Sequence, residues 1–132
     1  MITLHCPLTP ATHHLIDAAE LAKMKHSAFL INCARGPVIN EAALLTALQN
    51  KEIAGAALDV YEAEPKVAPE FKTLSNVILT PHIGNASFEA RDAMAKIVAD
   101  NAVKVLNGQT ALHIINGSIL FPVDSLLNMV IY

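Results

Sequence analysis

Four side chains able to do ionic or acid–base chemistry stand at or shortly after the ends of apolar runs: Arg35, Asp59, Glu64 and His82. Arg35 follows the apolar run 28–32 (AFLIN) and precedes a Gly36-Pro37 turn. Asp59 falls near the end of the run 53–60 (IAGAALDV), and Glu64 comes five residues later, before Pro65. His82 lies in Pro81-His82-Ile83-Gly84, just after the run 76–80 (NVILT). In open α/β sheets ligands bind at the carboxyl ends of the strands. If the three runs are strands, a guanidinium, two carboxylates and an imidazole converge on one sheet edge. Arginine is the side chain that grips a carboxylate in a bidentate fork. An imidazole that trades a proton with a hydroxyl works best near neutral pKa, and a neighbouring carboxylate raises it from ~6.5. The combination points to proton transfer on a small carboxylic acid.

Taken singly, each residue has an ordinary explanation. An arginine after a strand is commonly a solvated loop charge, an aspartate caps turns, and a glutamate before proline is plain surface. His13, His14, His26 and His113 are read as structural. Co-location at strand ends separates Arg35, Asp59, Glu64 and His82 from such residues. No metal site is expected, because the chain has neither a CxxC pair nor histidines four apart. Cys33 is read as a small buried residue at a strand end rather than a nucleophile.

The elements that must position these groups follow from the patterning. Residues 2–6 are a short β-prone start. Asp17-Ala18-Ala19-Glu20 reads as a capping box, opening a helix expected to carry Lys23, Lys25 and His26 in its last turn, where the helix dipole favours positive charge. Asn40 caps a second helix with Ala43, Leu44, Ala47 and Leu48 on its inner face. Ser87 caps the longest helix, in which Met94, Ile97, Val98, Val105 and Leu106 recur at helical spacing until Asn107-Gly108. Residues 61–74 form a connection without a clear helix, a length that is often functional. Strands alternating with helices imply an α/β fold: a mostly parallel sheet with helices on both faces.

Composition bounds the reading. A chain of 132 residues with 53% hydrophobic and 16% charged content is domain-sized and too apolar for general disorder. A net charge of −3 gives no electrostatic footprint for nucleic acid or anionic membrane. No apolar run reaches the ~18 residues of a membrane helix. Cys6 and Cys33 are too few for a disulfide scaffold, and with no visible signal peptide a cytoplasmic protein is expected.

Four segments in order and spacing, HCPLTPATHHLID, LINCARGPVINEAAL, GAALDVYEAEP and VILTPHIGNAS, resemble the nicotinamide-binding domain of the D-isomer-specific 2-hydroxyacid dehydrogenases. The form DVYEAEP is most similar to the glyoxylate/hydroxypyruvate reductase and phosphoglycerate dehydrogenase branches. The resemblance implies a role for each matching residue. Arg35 would bind the substrate carboxylate and carbonyl, and His82 would be the acid–base at the C2 hydroxyl. Glu64 would pair with His82 and hold it charged. Asp59 would meet the nicotinamide carboxamide or ribose, and the backbone around Cys33, Ala34 and Gly84 would line the nicotinamide. His5, Cys6, Pro7, Leu8 and Thr9 would lie along the adenosine side of NAD or NADP. The implied partner is a small 2-oxo or 2-hydroxy acid.

The chain also departs from the family. Its glycines are Gly36, Gly55, Gly84, Gly108 and Gly117, none in a GxG arrangement, so the pyrophosphate-binding GxGxxG turn is absent from it. The expectation is therefore a partial Rossmann-like sheet lacking the N-terminal GxGxxG βαβ unit. Residues 1–116 are read as the C-terminal part of a dinucleotide-binding domain and 117–132 as an unrelated tail. Such a chain is expected to bind cofactor weakly and turn over little alone. The alternatives are a non-catalytic half-domain for self-association or partner binding, since the family's corepressor members use this fold as a regulated binding scaffold, and a truncated product without independent role. An unpaired sheet edge favours a homo-oligomer.

Overall fold

The structure is a computed structural model that describes residues 1–112. The tail at 117–132 and His113 lie outside the described residues. The chain divides into two compact units, Met1–Gly84 and Asn85–Tyr132.

The first unit is built on a four-stranded sheet in the order β1 (Ile2–Leu4), β2 (Phe29–Asn32), β3 (Gly55–Leu58), β4 (Val77–Leu79). Every pairing is parallel, with Leu4 beside Asn32, Asn32 beside Leu58, and Leu58 beside Leu79. This register aligns the strand ends, so the loops that follow all leave from one edge.

Sequential parallel strands joined by right-handed crossovers put all their connections on one face. Exposure follows that rule: Leu30, Asn32, Ala56 and Leu58 are buried, whereas Phe29 and Ile78 are 51% and 68% exposed. The flanking helices are present, but within this unit the expected cover on both faces is found on one. The covered face packs Leu30, Ala56 and Leu58 with Leu21, Val38, Ile39, Leu44, Leu48, Ile53 and Phe71.

Helix α1 (Ala18–Leu21) begins with the expected capping box on Asp17 and Glu20. It is four residues long and has no basic residue in its last turn, contrary to the helix expected to run to His26. The chain instead passes into tight turns, with Lys23 donating to Glu20 O and Ala28 to Lys25 O. Helix α2 (Glu41–Gln49) is capped by Asn40, whose side chain accepts from Ala43 N–H and also donates to Asp17 Oδ1 at 3.0 Å. The two helix starts are thereby tied together. The long connection after β3 contains a 3-10 turn at Pro69–Thr73 that the apolar pattern did not signal; Phe71 anchors it in the core.

In the second unit α3 (Phe88–Leu106) starts at Ser87, whose hydroxyl accepts from Ala90 N–H. It ends where Gly108 takes φ +72, a conformation that glycine adopts without steric cost. None of its side chains is buried. Among the described residues no helix is long and apolar enough to cross a membrane.

Candidate active site

The carboxyl edge of the sheet is assembled by buried polar groups at the strand ends. Asn32 closes β2 and is 1% exposed, so its amide must be satisfied internally. Its Oδ1 accepts from Ala34 N–H at 3.0 Å and its Nδ2 donates to Arg35 O at 3.1 Å, folding the 32–35 segment into a tight turn. That turn carries Cys33 and Arg35 to the exterior. Cys33 is exposed, not buried as the strand pattern suggested, because the turn rotates it off the sheet. Arg35 Nη1 donates to Ala34 O at 2.7 Å.

Asp59 organises the neighbouring loop. Its carboxylate accepts from the Thr80 hydroxyl, from Ile83 N–H at 2.9 Å and from Gly84 N–H at 2.8 Å. Burial favours its neutral form, but these donors outweigh burial, and with the nearby His82 charge they hold the carboxyl below its ordinary 3.8. The clamp seizes the chain on both sides of His82, which sits at φ +54. Such a left-handed conformation in a non-glycine residue persists only where its surroundings fix it. A carboxylate offers about four acceptor directions, of which these donors take three.

His82 Nδ1 and Glu64 Oε2 are 2.9 Å apart. The other Glu64 oxygen accepts from Tyr61 N–H at 3.0 Å, while the Tyr61 hydroxyl donates to Leu58 O and Thr80 O at 3.0 and 2.8 Å. Tyr61 thus bridges the ends of β3 and β4 beneath the pair. The hydrogen bond to His82 holds the Glu64 carboxyl below its ordinary 4.5 against partial burial, and the Tyr61 N–H and the His82 and Arg35 charges add to it. A cavity of about 310 Å³ opens beside the pair, walled by Tyr61, Pro65, Val67, Leu79 and Pro81. Among the described residues no group of three metal-ligating side chains comes together.

The structure therefore places Cys33, Ala34, Arg35, Asp59, Glu64, His82 and Gly84 on one edge, with direct contacts between Glu64 and His82 and between Asp59 and Gly84. His5, Cys6, Pro7 and Thr9 follow β1 on the same edge. There His5 Nε2 meets Thr3 Oγ1 at 2.8 Å, and Thr9 N–H donates to Thr12 Oγ1 at 2.8 Å. Sequence reasoning missed Asn32, Thr80 and Tyr61. A polar residue ending an apolar run was the available signal for the first two.

Residues 1–84 match the family described as D-isomer specific 2-hydroxyacid dehydrogenase, NAD binding domain. A protein of Staphylococcus epidermidis carrying the name 2-hydroxyacid dehydrogenase is 55% identical over 115 residues, covering 87% of this chain and 36% of the relative. The chain thus spans about a third of the length of the curated relatives it matches. Among solved structures, an NADPH-dependent glyoxylate/hydroxypyruvate reductase from Sinorhizobium meliloti, in complex with NADP and malonate, is 39% identical. It superposes with a TM-score of 0.81 over 86% of this chain and 36% of that one. A D-lactate dehydrogenase from Sporolactobacillus is 42% identical with a TM-score of 0.80, covering 89% of this chain and 40% of that one. With more than half its length matched, the chain belongs to the D-isomer specific 2-hydroxyacid dehydrogenase family, through its NAD binding domain.

Proposed function

We propose that this chain supplies the acid–base and substrate-binding groups for NAD(P)-linked interconversion of a small 2-oxo acid and its D-2-hydroxy acid. The observation that carries the reading is the 2.9 Å contact between His82 Nδ1 and Glu64 Oε2 at the carboxyl edge of a parallel sheet. With Nδ1 engaged, Nε2 is the nitrogen left to face substrate. In reduction it gives its proton to the carbonyl oxygen, and in oxidation it takes the proton of the C2 hydroxyl. Glu64, held ionised, stabilises the imidazolium. Arg35, on the turn beside it, grips the carboxylate and draws electron density from the carbonyl. Asp59 fixes the His82 loop and keeps one acceptor direction for the carboxamide or ribose.

The edge fits the nicotinamide half of the cofactor, because Cys33 is exposed and Gly84 has no side chain where the loop turns over Asp59. When bound, the reduced cofactor supplies the hydride for the substrate's C2 carbon. With no glycine-rich turn in the sequence to hold a pyrophosphate, the chain by itself binds cofactor weakly and turns over little. A second reading, self-association, draws on exposed Phe29 and Ile78 and on the end position of β1 in the sheet order among the described residues. Light scattering combined with thermal melting separates the two. A monomer whose melting temperature rises with NAD(H) or NADP(H) supports the first, and a cofactor-indifferent oligomer overturns it. Robust reduction of glyoxylate or hydroxypyruvate by the 132-residue chain would contradict weak activity alone.

A further inference from the structure

A second ionisable cluster lies beside the site and takes no part in the chemistry above. The Glu62 N–H donates to Glu41 Oε1 at 2.7 Å, and the Glu41 N–H donates back to Glu62 Oε1 at 3.2 Å. His14 Nε2 meets the same Glu62 oxygen at 2.9 Å. We infer that this reciprocal Glu41–Glu62 clasp, steadied by His14, is a positioning device that sets where Glu64 meets His82, an inference that rests on the acid–base reading of that pair.

The argument starts from the loop itself. Glu64 stands on an exposed stretch after β3, where 62–66 have no buried residue. Acid–base geometry must hold to within about 0.5 Å to be productive. On one side the loop is pinned by Tyr61, through its N–H to Glu64 and its hydroxyl to Leu58 and Thr80. The clasp pins the next residue to the first turn of α2. The loop also rests directly on the Arg35 turn, since a Cβ added to Gly36 would fall within the Tyr61–Glu62 peptide. His14 N–H donates to Pro37 O at 2.8 Å, which joins the segment after β1 to the same turn. The loops carrying Arg35 and Glu64 are therefore locked to each other by backbone contact and by this cluster.

Charge alone does not account for the arrangement. Burial raises the Glu41 carboxyl, its bond from the Glu62 N–H lowers it, and the charges of Glu62 and Glu64 raise it further, leaving it above its ordinary 4.5. Two carboxylates are held together against repulsion by backbone donors.

The test follows the Glu64 carboxyl carbon by 13C NMR across pH in Glu62→Ala, Glu62→Gln and His82→Asn. Loss of position weakens the His82 bond and raises the Glu64 titration, whereas simple removal of a neighbouring negative charge lowers it. The opposite signs make the readout decisive. Glu62→Ala is expected to shift Glu64 upward, whereas Glu62→Gln, which keeps the acceptor for Glu41 N–H and removes only the charge, is expected to leave it at or below the wild-type position. No shift, or a downward shift, in Glu62→Ala overturns the inference. If His82→Asn leaves Glu64 unmoved, it is the underlying pair that fails. Should Glu62→Ala not fold, Glu41→Ala against Glu41→Gln reads the same clasp from the α2 side with the same expected signs.

Discussion

The loop after β3 supplies the glutamates of two histidine–glutamate pairs, His14–Glu62 and His82–Glu64, each with a contact of 2.9 Å. Both histidines adopt positive φ, +51 and +54. By distance and residue type the pairs are indistinguishable. What separates them is the surroundings. The Glu62 carboxylate is bound to the start of α2 and its histidine is anchored to the Arg35 turn, so the pair closes on itself. His82 is held by a buried carboxylate, points one nitrogen at Glu64 and borders a cavity at the strand edge. Distance and residue type therefore do not set the two pairs apart, whereas the bordering cavity and the Asp59 clamp belong to the His82 pair alone.

The contact that locks both pairs into one frame is the largest single vulnerability. Gly36→Ala forces the Tyr61–Glu62 peptide away from the Arg35 turn, and overpacking against backbone is expected to cost about 3 kcal/mol or more. Urea unfolding measures it, and an unchanged midpoint would show that the loops are not seated on one another. Asp59→Asn separates the pairs, since it loosens only the loop of His82. Replacing a buried acceptor of charge-assisted bonds is expected to cost about 2 kcal/mol. The pH dependence gives this a sign. The folded-state carboxyl of Asp59 lies below its ordinary 3.8, so its stabilisation is complete above that value and is lost as pH falls through the lowered one. Urea midpoints should therefore drop less on acidification in Asp59→Asn than in wild type.

Smaller effects sharpen the contrast further. Tyr61→Phe removes the hydroxyl under the His82 pair and is expected to cost about 1 kcal/mol of unfolding free energy. Glu64→Gln, at a half-exposed pair, should change stability by less than about 1 kcal/mol, again read in urea. A stability loss several times larger would make Glu64 a structural residue and weaken its assignment as the partner of His82.

The strand ends were legible because buried parallel strands are written as apolar runs, and Arg35, Asp59 and His82 each follow one. The capping signals at Asp17, Asn40 and Ser87 were equally readable, being local chemistry. Helix α1 was overestimated because the lysines after Leu21 suit a helix end and a turn alike. The 3-10 turn at Pro69–Thr73 was invisible because Phe71 alone carries its burial. His14, Glu41 and Glu62 gave no signal, since 48 and 21 residues separate the bonded partners and only the tertiary fold joins them. His14 was read as structural, and its contact with Glu62 comes into view only in the fold.

The most direct measurement compares the two histidines in one spectrum. Imidazole Cε1–H resonances of His14 and His82 are followed while NADP(H) or NAD(H) is added together with a small 2-oxo acid. The His82 resonance is expected to move saturably and the His14 resonance to stay. Movement of His14 with a stationary His82, or no movement of either, would contradict the assignment of His82–Glu64 as the working pair.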